Sequence, residues 1–229
     1  GVLQSVERLD VSIGRFVRVS DMNFARASPA LAVLDGFLYA LGGFDGNDWL
    51  REVERYDPGK DAWEIVSPLS APRSAFGACA INGSILAIGG SDGHMSQRTV
   101  ERYNPSTNRW TSMPGLTTRR ENLGVAVFDG HVYAAGGFDS MWAEWLRSAE
   151  RYDSSICAWV SVADLKSARR NCMLINLNGD LLAVGGNDGL QHVQQVERYG
   201  VDALGREGSW RPLDLYLPTP TSYFACAAS

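Results

Sequence analysis

Apolar positions along this chain fall in short runs, and the runs come in pairs. Ala30 to Leu34 and Phe37 to Leu41 form one pair, separated only by Asp35-Gly36. Asp-Gly between two apolar runs predicts a β-hairpin closed by a type I′ turn, because both central residues of that turn need positive φ. The signature returns at Asn82-Gly83, Asp129-Gly130 and Asn178-Gly179. Each second run ends in a glycine pair, beginning at Gly42, Gly89, Gly136 and Gly185. A variable polar stretch follows, and then Val53-Glu54-Arg55-Tyr56 or its counterpart, whose alternation suits a third strand. Asp57-Pro58 or Asn104-Pro105 turns the chain into a fourth strand that starts at Trp63 or Trp110. The unit predicted is a four-stranded antiparallel sheet.

That unit is written four times. Successive Gly-Gly pairs lie 47 to 49 residues apart, a period in the range of blade-type β repeats. The third-strand motif returns at Val100-Glu101-Arg102-Tyr103, Ala149-Glu150-Arg151-Tyr152 and Val196-Glu197-Arg198-Tyr199, and the Trp at Trp159 and Trp210. One such sheet has two apolar faces and cannot bury both. Packing repeats around an axis lets the Tyr and Trp of one sheet meet the next, which is a β-propeller. The expected architecture is all-β, with complete blades at about 23–68, 70–114, 117–163 and 166–214. The termini supply a partial blade, residues 1–20 with 217–229. There Val6-Glu7-Arg8-Leu9-Asp10 reads as a third strand, Phe16 holds the Trp place, and Tyr223 to Ala228 reads as a first strand. This arrangement fits a five-bladed ring or a truncated six-bladed one.

Taken together, the Asn/Asp-Gly turn, the Gly-Gly strand end, and the Tyr followed by Trp resemble the Kelch repeat, over almost the whole chain. The form Gly-Gly-Phe-Asp-Gly with Val-Glu-Arg-Tyr-Asp-Pro is most similar to the Kelch domains of BTB-Kelch proteins. The resemblance implies a protein-binding propeller that serves as the substrate-recognition part of a cullin-RING ubiquitin ligase. Neither a BTB nor a BACK domain lies in these 229 residues. A cytoskeletal role through actin is the alternative, and a metal-dependent oxidase a weaker one.

Composition narrows the classes further. A formal charge of -5 argues against general nucleic-acid binding. No apolar run reaches the roughly 20 residues of a membrane-spanning helix, so no membrane partner is expected. The opening residues show no basic segment leading into an apolar one, so no signal peptide is expected. Cys79, Cys157, Cys172 and Cys226 have no Cys-x-x-Cys spacing. They predict a reducing compartment, hence a cytoplasmic, nuclear or cytoskeletal site. Asn82-Gly83-Ser84 matches a glycosylation sequon, but it coincides with the repeat's turn.

Connectivity sorts the loops. The strand 2–3 loops and the blade-to-blade 4–1 connections share one face of the disc, and that face holds nearly all the variation. It is the candidate site, because binding residues concentrate on variable loops over a rigid scaffold. Arg26, Arg73, Arg120 and Arg169 sit at one repeat position of the 4–1 connections, with Arg119 and Arg170 in addition. The ring could clamp carboxylates or a phosphorylated segment, or it could be structural, bonding loop carbonyls. The Kelch resemblance implies a pocket lined by Phe44, Ser91, Phe138 and Asn187 after Gly-Gly, and by Ser74, Glu121, Ser222 and Tyr223 near the Arg position. Trp49, Trp142 and Trp145 lie in variable loops, either as anchors for a partner or as local packing. His192 is on the same face.

Catalytic signals are weak. Gly89-Gly90-Ser91-Asp92-Gly93 matches a nucleophile elbow, but that elbow needs a following helix with a positioned His and acid. His94 and His192 fall on the variable face and His131 on the opposite one, which argues against a three-His metal site. No enzyme activity, metal or cofactor is expected. The expected partner is a protein or short peptide, acidic or phosphorylated. Self-association through open blade edges is a further expectation.

Overall fold

The computed structural model describes residues 1–200 and 208–219. The opening hairpin pairs β1 (Val6–Asp10) with β2 (Arg15–Val19). The first full blade comprises β3 (Ala30–Leu34), β4 (Phe37–Phe44), β5 (Trp49–Asp57) and β6 (Ala62–Val66). The second comprises β7 (Gly77–Ile81), β8 (Ser84–Ile88), β9 (Val100–Asn104) and β10 (Arg109–Met113). The third is built of β11 (Gly124–Phe128), β12 (His131–Ala135), β15 (Ala149–Asp153) and β16 (Ala158–Val162). Its 2–3 loop folds back as a miniature hairpin, β13 (Phe138–Asp139) with β14 (Glu144–Trp145). The fourth is β17 (Met173–Leu177), β18 (Asp180–Val184), β19 (Gln195–Gly200) and β20 (Ser209–Tyr216). Every pairing is antiparallel, and each full blade keeps the order first to fourth strand, as the hydrophobic pattern predicts. Ser222, Tyr223 and the Tyr223 to Ala228 strand lie outside the described residues.

The turns behave as their chemistry requires. Asp35, Asn82, Asp129 and Asn178 all have φ between 48° and 52°, each followed by a glycine of positive φ. These are the I′ turns that only such residues close cheaply. The first strands contact one another in sequence, β3 with β7, β7 with β11, and β11 with β17. They converge on a central channel whose walls include Ala30, Ala78, Val125 and Leu174. Small and medium apolar residues occupy these strands because four blades meet there.

Aromatic residues join the blades farther out. Tyr39 packs edge-on against Tyr103 at 5.9 Å between ring centres, and Tyr133 meets Tyr199 in a tilted pair at 5.5 Å. Trp63, Trp110 and Trp159 each donate an indole N–H to a carbonyl of the preceding unit, at Ser20, Ser67 and Pro114. Asn108 adds a latch: its Oδ1 accepts from the Tyr103 hydroxyl and from the Ser67 N–H. Asp61 does the same for Tyr56 and Ser20. In the third blade Cys157 holds that place and keeps a side-chain hydrogen bond with Tyr152, but Pro114 has no N–H to offer it, so the link to the preceding unit rests on the Trp159 bond.

The arginine ring proves to be the hub's internal brace. Arg26, Arg73, Arg120 and Arg169 are all buried. Each pairs with the Glu of its own third-strand motif, Arg26 with Glu54 at 2.8 Å, Arg73 with Glu101 at 2.9 Å, Arg120 with Glu150 at 2.7 Å and Arg169 with Glu197 at 2.9 Å. Each also donates to the carbonyl of the first glycine of its Gly-Gly pair, as Arg120 does to Gly136 at 2.9 Å. The carboxylates are occupied as well: Glu150 accepts the backbone N–H groups of Thr117 and Thr118, and Glu197 those of Lys166 and Ser167. Of the two roles these four arginines suggested, ligand clamp or structural brace, the geometry suits the brace, because each guanidinium is enclosed and already bonded within its own blade. Ser74 is also buried, and its contact with Ser91 is a pair of backbone hydrogen bonds.

Removing one partner of a buried ion pair strands the other charge, at a cost of about 3–5 kcal/mol. Arg120→Met should lower stability by about that amount in urea unfolding. The double variant Arg120→Met/Glu150→Met should lose less than the single one, because no unpaired charge remains.

Candidate functional site

The brace fixes where the accessible residues stand. The second glycine of the first three pairs hydrogen-bonds through its N–H to the Arg carbonyl of the next blade: Gly43 to Arg73 and Gly90 to Arg120, both at 2.8 Å, and Gly137 to Arg169 at 2.7 Å. The approach leaves no room for a side chain on either glycine, since a Cβ on Gly136 would lie 2.4 Å from the Arg169 carbonyl oxygen and one on Gly137 2.7 Å from that of Glu121. Glycine is needed there for close contact as well as for positive φ.

Immediately beyond the glycines, each residue that follows Gly-Gly bridges a residue of a 4–1 connection. Ala27 bridges Phe44, Ser74 bridges Ser91, Glu121 bridges Phe138 and Arg170 bridges Asn187, each antiparallel. Phe44, Ser91, Glu121, Phe138, Arg170 and Asn187 are half-buried, so they edge the channel mouth and keep some access. Arg170 lies 4.9 Å over the Phe138 ring and 3.7 Å from Glu121, bringing a cation to the mouth. His192 is exposed and bridges Asn187.

The four 2–3 loops form a continuous crown above this mouth. Trp49 pairs with Phe44 at 5.0 Å and leans over Gly93 of the next loop, where a Cβ would sit 2.4 Å from the indole. Trp145 repeats the arrangement with Phe138 at 4.9 Å and with Gly189. Between these two seats, Ser96 and Ser140 exchange hydrogen bonds at 2.8 and 2.9 Å, joining the second loop to the third. Trp49 and Trp145 are thus largely local packing. Trp142 is different: it is 73% exposed.

Three further exposed apolar side chains escaped the repeat-based reading. Met95 is 42%, Met141 58% and Leu190 95% exposed, each in a 2–3 loop. Their signal in the sequence was an apolar residue inside an otherwise polar stretch, and the repeat gave no position at which to compare them. The Ser91 hydroxyl, suggested by the elbow-like spacing, accepts the Gly93 N–H at 3.2 Å and stands on a strand-loop junction. Cys79 and Cys172 are core residues, and burial pushes their thiols up to about 12 and about 11. Among the described residues, no three His, Cys, Asp or Glu side chains gather as a metal would need.

The Kelch motif family matches residues 25–70, 72–117 and 119–166, the first three full blades. Among curated proteins none matches the chain significantly. By contrast 448 chains of solved structures do, a spread in which fold alone assigns no activity. One is YjhT, with a TM-score of 0.73 at 15% identity, over 88% of this chain and 69% of that one. At that identity the likeness speaks to fold.

Two outcomes follow from this geometry. Trp145→Ala should cost roughly 1–2 kcal/mol through lost packing on Phe138 and Gly189, while Trp142→Ala should stay within about 0.5 kcal/mol of the parent in urea unfolding. Cys79 and Cys172 should resist iodoacetamide at neutral pH in the folded protein. Their raised pKa values mean that the stability they contribute is complete below the ordinary thiol value of 9.0. It should fall as the pH climbs from there towards the folded values, which a pH series of unfolding curves would read.

Proposed function

The chain belongs to the Kelch motif family, and on that footing we propose that its propeller binds a protein partner on the loop crown. The observation that carries this reading is the exposure of Trp142, Met141, Met95 and Leu190 on loops held together by the Trp49, Ser96–Ser140 and Trp145 contacts. Large apolar side chains held in water on a rigid frame lose little freedom when covered, which makes them effective anchors. Arg119, Arg170 and Glu121 supply polar contacts around the crown, and Asn187 and His192 extend them to the fourth blade. A partner segment with acidic character would meet Arg119 and Arg170. No catalytic step enters this proposal.

The wording of the repeats, Gly-Gly-Phe-Asp-Gly with Val-Glu-Arg-Tyr-Asp-Pro, supports a finer form of it. In that form the bound partner is a substrate presented to a cullin-RING ubiquitin ligase, through domains outside these residues.

Affinity capture from lysate tests the site. Trp142→Ala/Leu190→Ser should fold normally and release partners held by the parent, as quantified by mass spectrometry. Equal capture by the two proteins would remove the crown as the binding face.

A further inference from the structure

The second blade carries a feature that the repeat does not explain. Where β9 begins and β10 ends, an open groove of about 540 Å³ is lined by Arg98, Thr99, Ser112, Met113, Gly115 and Arg119, with Gln97 and Leu116 completing it. Two of these are cations, and none is a carboxylate. The Arg98 guanidinium has no hydrogen bond or ion pair among the described residues. Arg119 uses only Nη1, towards the Ser96 carbonyl at 3.3 Å and the Met95 sulfur at 3.7 Å. Its remaining N–H donors have no partner among the described residues.

The other blades show why this place is open. In the third blade Arg147, the counterpart of Arg98, is neutralised by Asp164 at 3.3 Å. The position of Asp164 is held in the second blade by Gly115, which supplies neither charge nor bulk. Its backbone lies so close to Arg98 that a Cβ would be 2.8 Å from the Arg98 carbonyl oxygen. The first blade has Arg51 opposite Pro68, but Pro72 stands where the second blade has Arg119. Ala168 takes that place in the third blade, and Gln194 replaces the Arg98 counterpart in the fourth. Among the described residues, only the second blade has two arginines without a carboxylate partner lining one groove. The adjoining hollow holds two carboxylates, both already engaged: Asp92 accepts from Gln97 Nε2 at 2.7 Å and from the N–H groups of His94 and Met95, and Glu101 is paired with Arg73 and accepts the Ser70 N–H.

We propose that this groove receives a phosphorylated serine or threonine side chain of the bound partner. The inference rests on the protein-binding reading of the crown, to which the groove is joined through Met95. A dianionic phosphate offers enough acceptor oxygens for two guanidinium forks, whereas a single carboxylate is matched by one. Thr99 and Ser112 line the same groove and carry hydroxyls of the kind that donate to phosphate oxygens.

The test uses random peptide pools with a fixed central phosphoserine, serine or aspartate, passed over the immobilised propeller and counted by mass spectrometry. The phosphoserine pool should be retained about tenfold or more above the serine pool, and the aspartate pool should stay near serine. The preference should shrink as salt rises and vanish in Arg98→Gln/Arg119→Gln. It should survive in Arg15→Gln/Arg109→Gln, which removes equal charge from elsewhere. Equal retention of the pools, parity of aspartate with phosphoserine, or an unchanged preference in Arg98→Gln/Arg119→Gln would overturn the proposal. Partner capture from lysate that persists beside such a result would leave the crown reading standing and remove the groove alone.

Discussion

Everything on the loop face depends on a buried ion pair, the arginine of each 4–1 connection with the glutamate of its own third strand. The guanidinium is planar and offers five donors, so it can bond a carboxylate and two backbone carbonyls at once. Arg120 does so with Glu150, Gly136 and Ser148. The glutamate in turn caps backbone N–H groups of the connection that carries the arginine. Such a pair is costly to desolvate, and its value here is directional. It fixes the Gly-Gly strand end, the third strand and the inter-blade connection in one geometry.

With that geometry set, the neighbouring blade is positioned through glycine. The Arg carbonyl of one blade rests on the Gly-Gly of the blade before it, at a distance that excludes any side chain. Arg, Glu and Gly-Gly therefore act as one unit, repeated four times. The half-buried residues just outside this unit inherit its precision, which is how Phe138 and Arg170 come to share the channel mouth. The proposed binding residues lie outward of it, held by the brace but not used in it.

The loops above the mouth divide by the same logic. Trp49 and Trp145 each pair with a Phe of their own blade and seat on a glycine of the next loop, so they finish the scaffold. Trp142, Met141, Met95 and Leu190 have no such seat and face water. The groove at Arg98 and Arg119 is open for a complementary reason, because Gly115 stands where a paired blade has an acid. Both proposed binding surfaces lie where one blade departs from its neighbours.

Much of the fold was legible in the sequence. Asn/Asp-Gly fixed the hairpins, Gly-Gly marked the second-strand ends, and Tyr with Trp marked the faces that seal blades. Each depends on a local cause, a φ value or an alternation of side chains, that a linear pattern records. The candidate site was legible only in outline. The equal spacing of Arg26, Arg73, Arg120 and Arg169 suited a ligand clamp and a structural brace alike, because spacing along a chain carries no information about burial. Their partners lie 28 to 30 residues away, on a strand reached only after the sheet has formed. Likewise the sequence placed three tryptophans in loops but could not tell a seated indole from a free one. That distinction rests on which glycine the next blade brings beneath it. The pattern thus determined the blades and their order. The tertiary structure decided which charges are consumed inside the hub and which remain for a partner, since burial and pairing exist only once the blades have met.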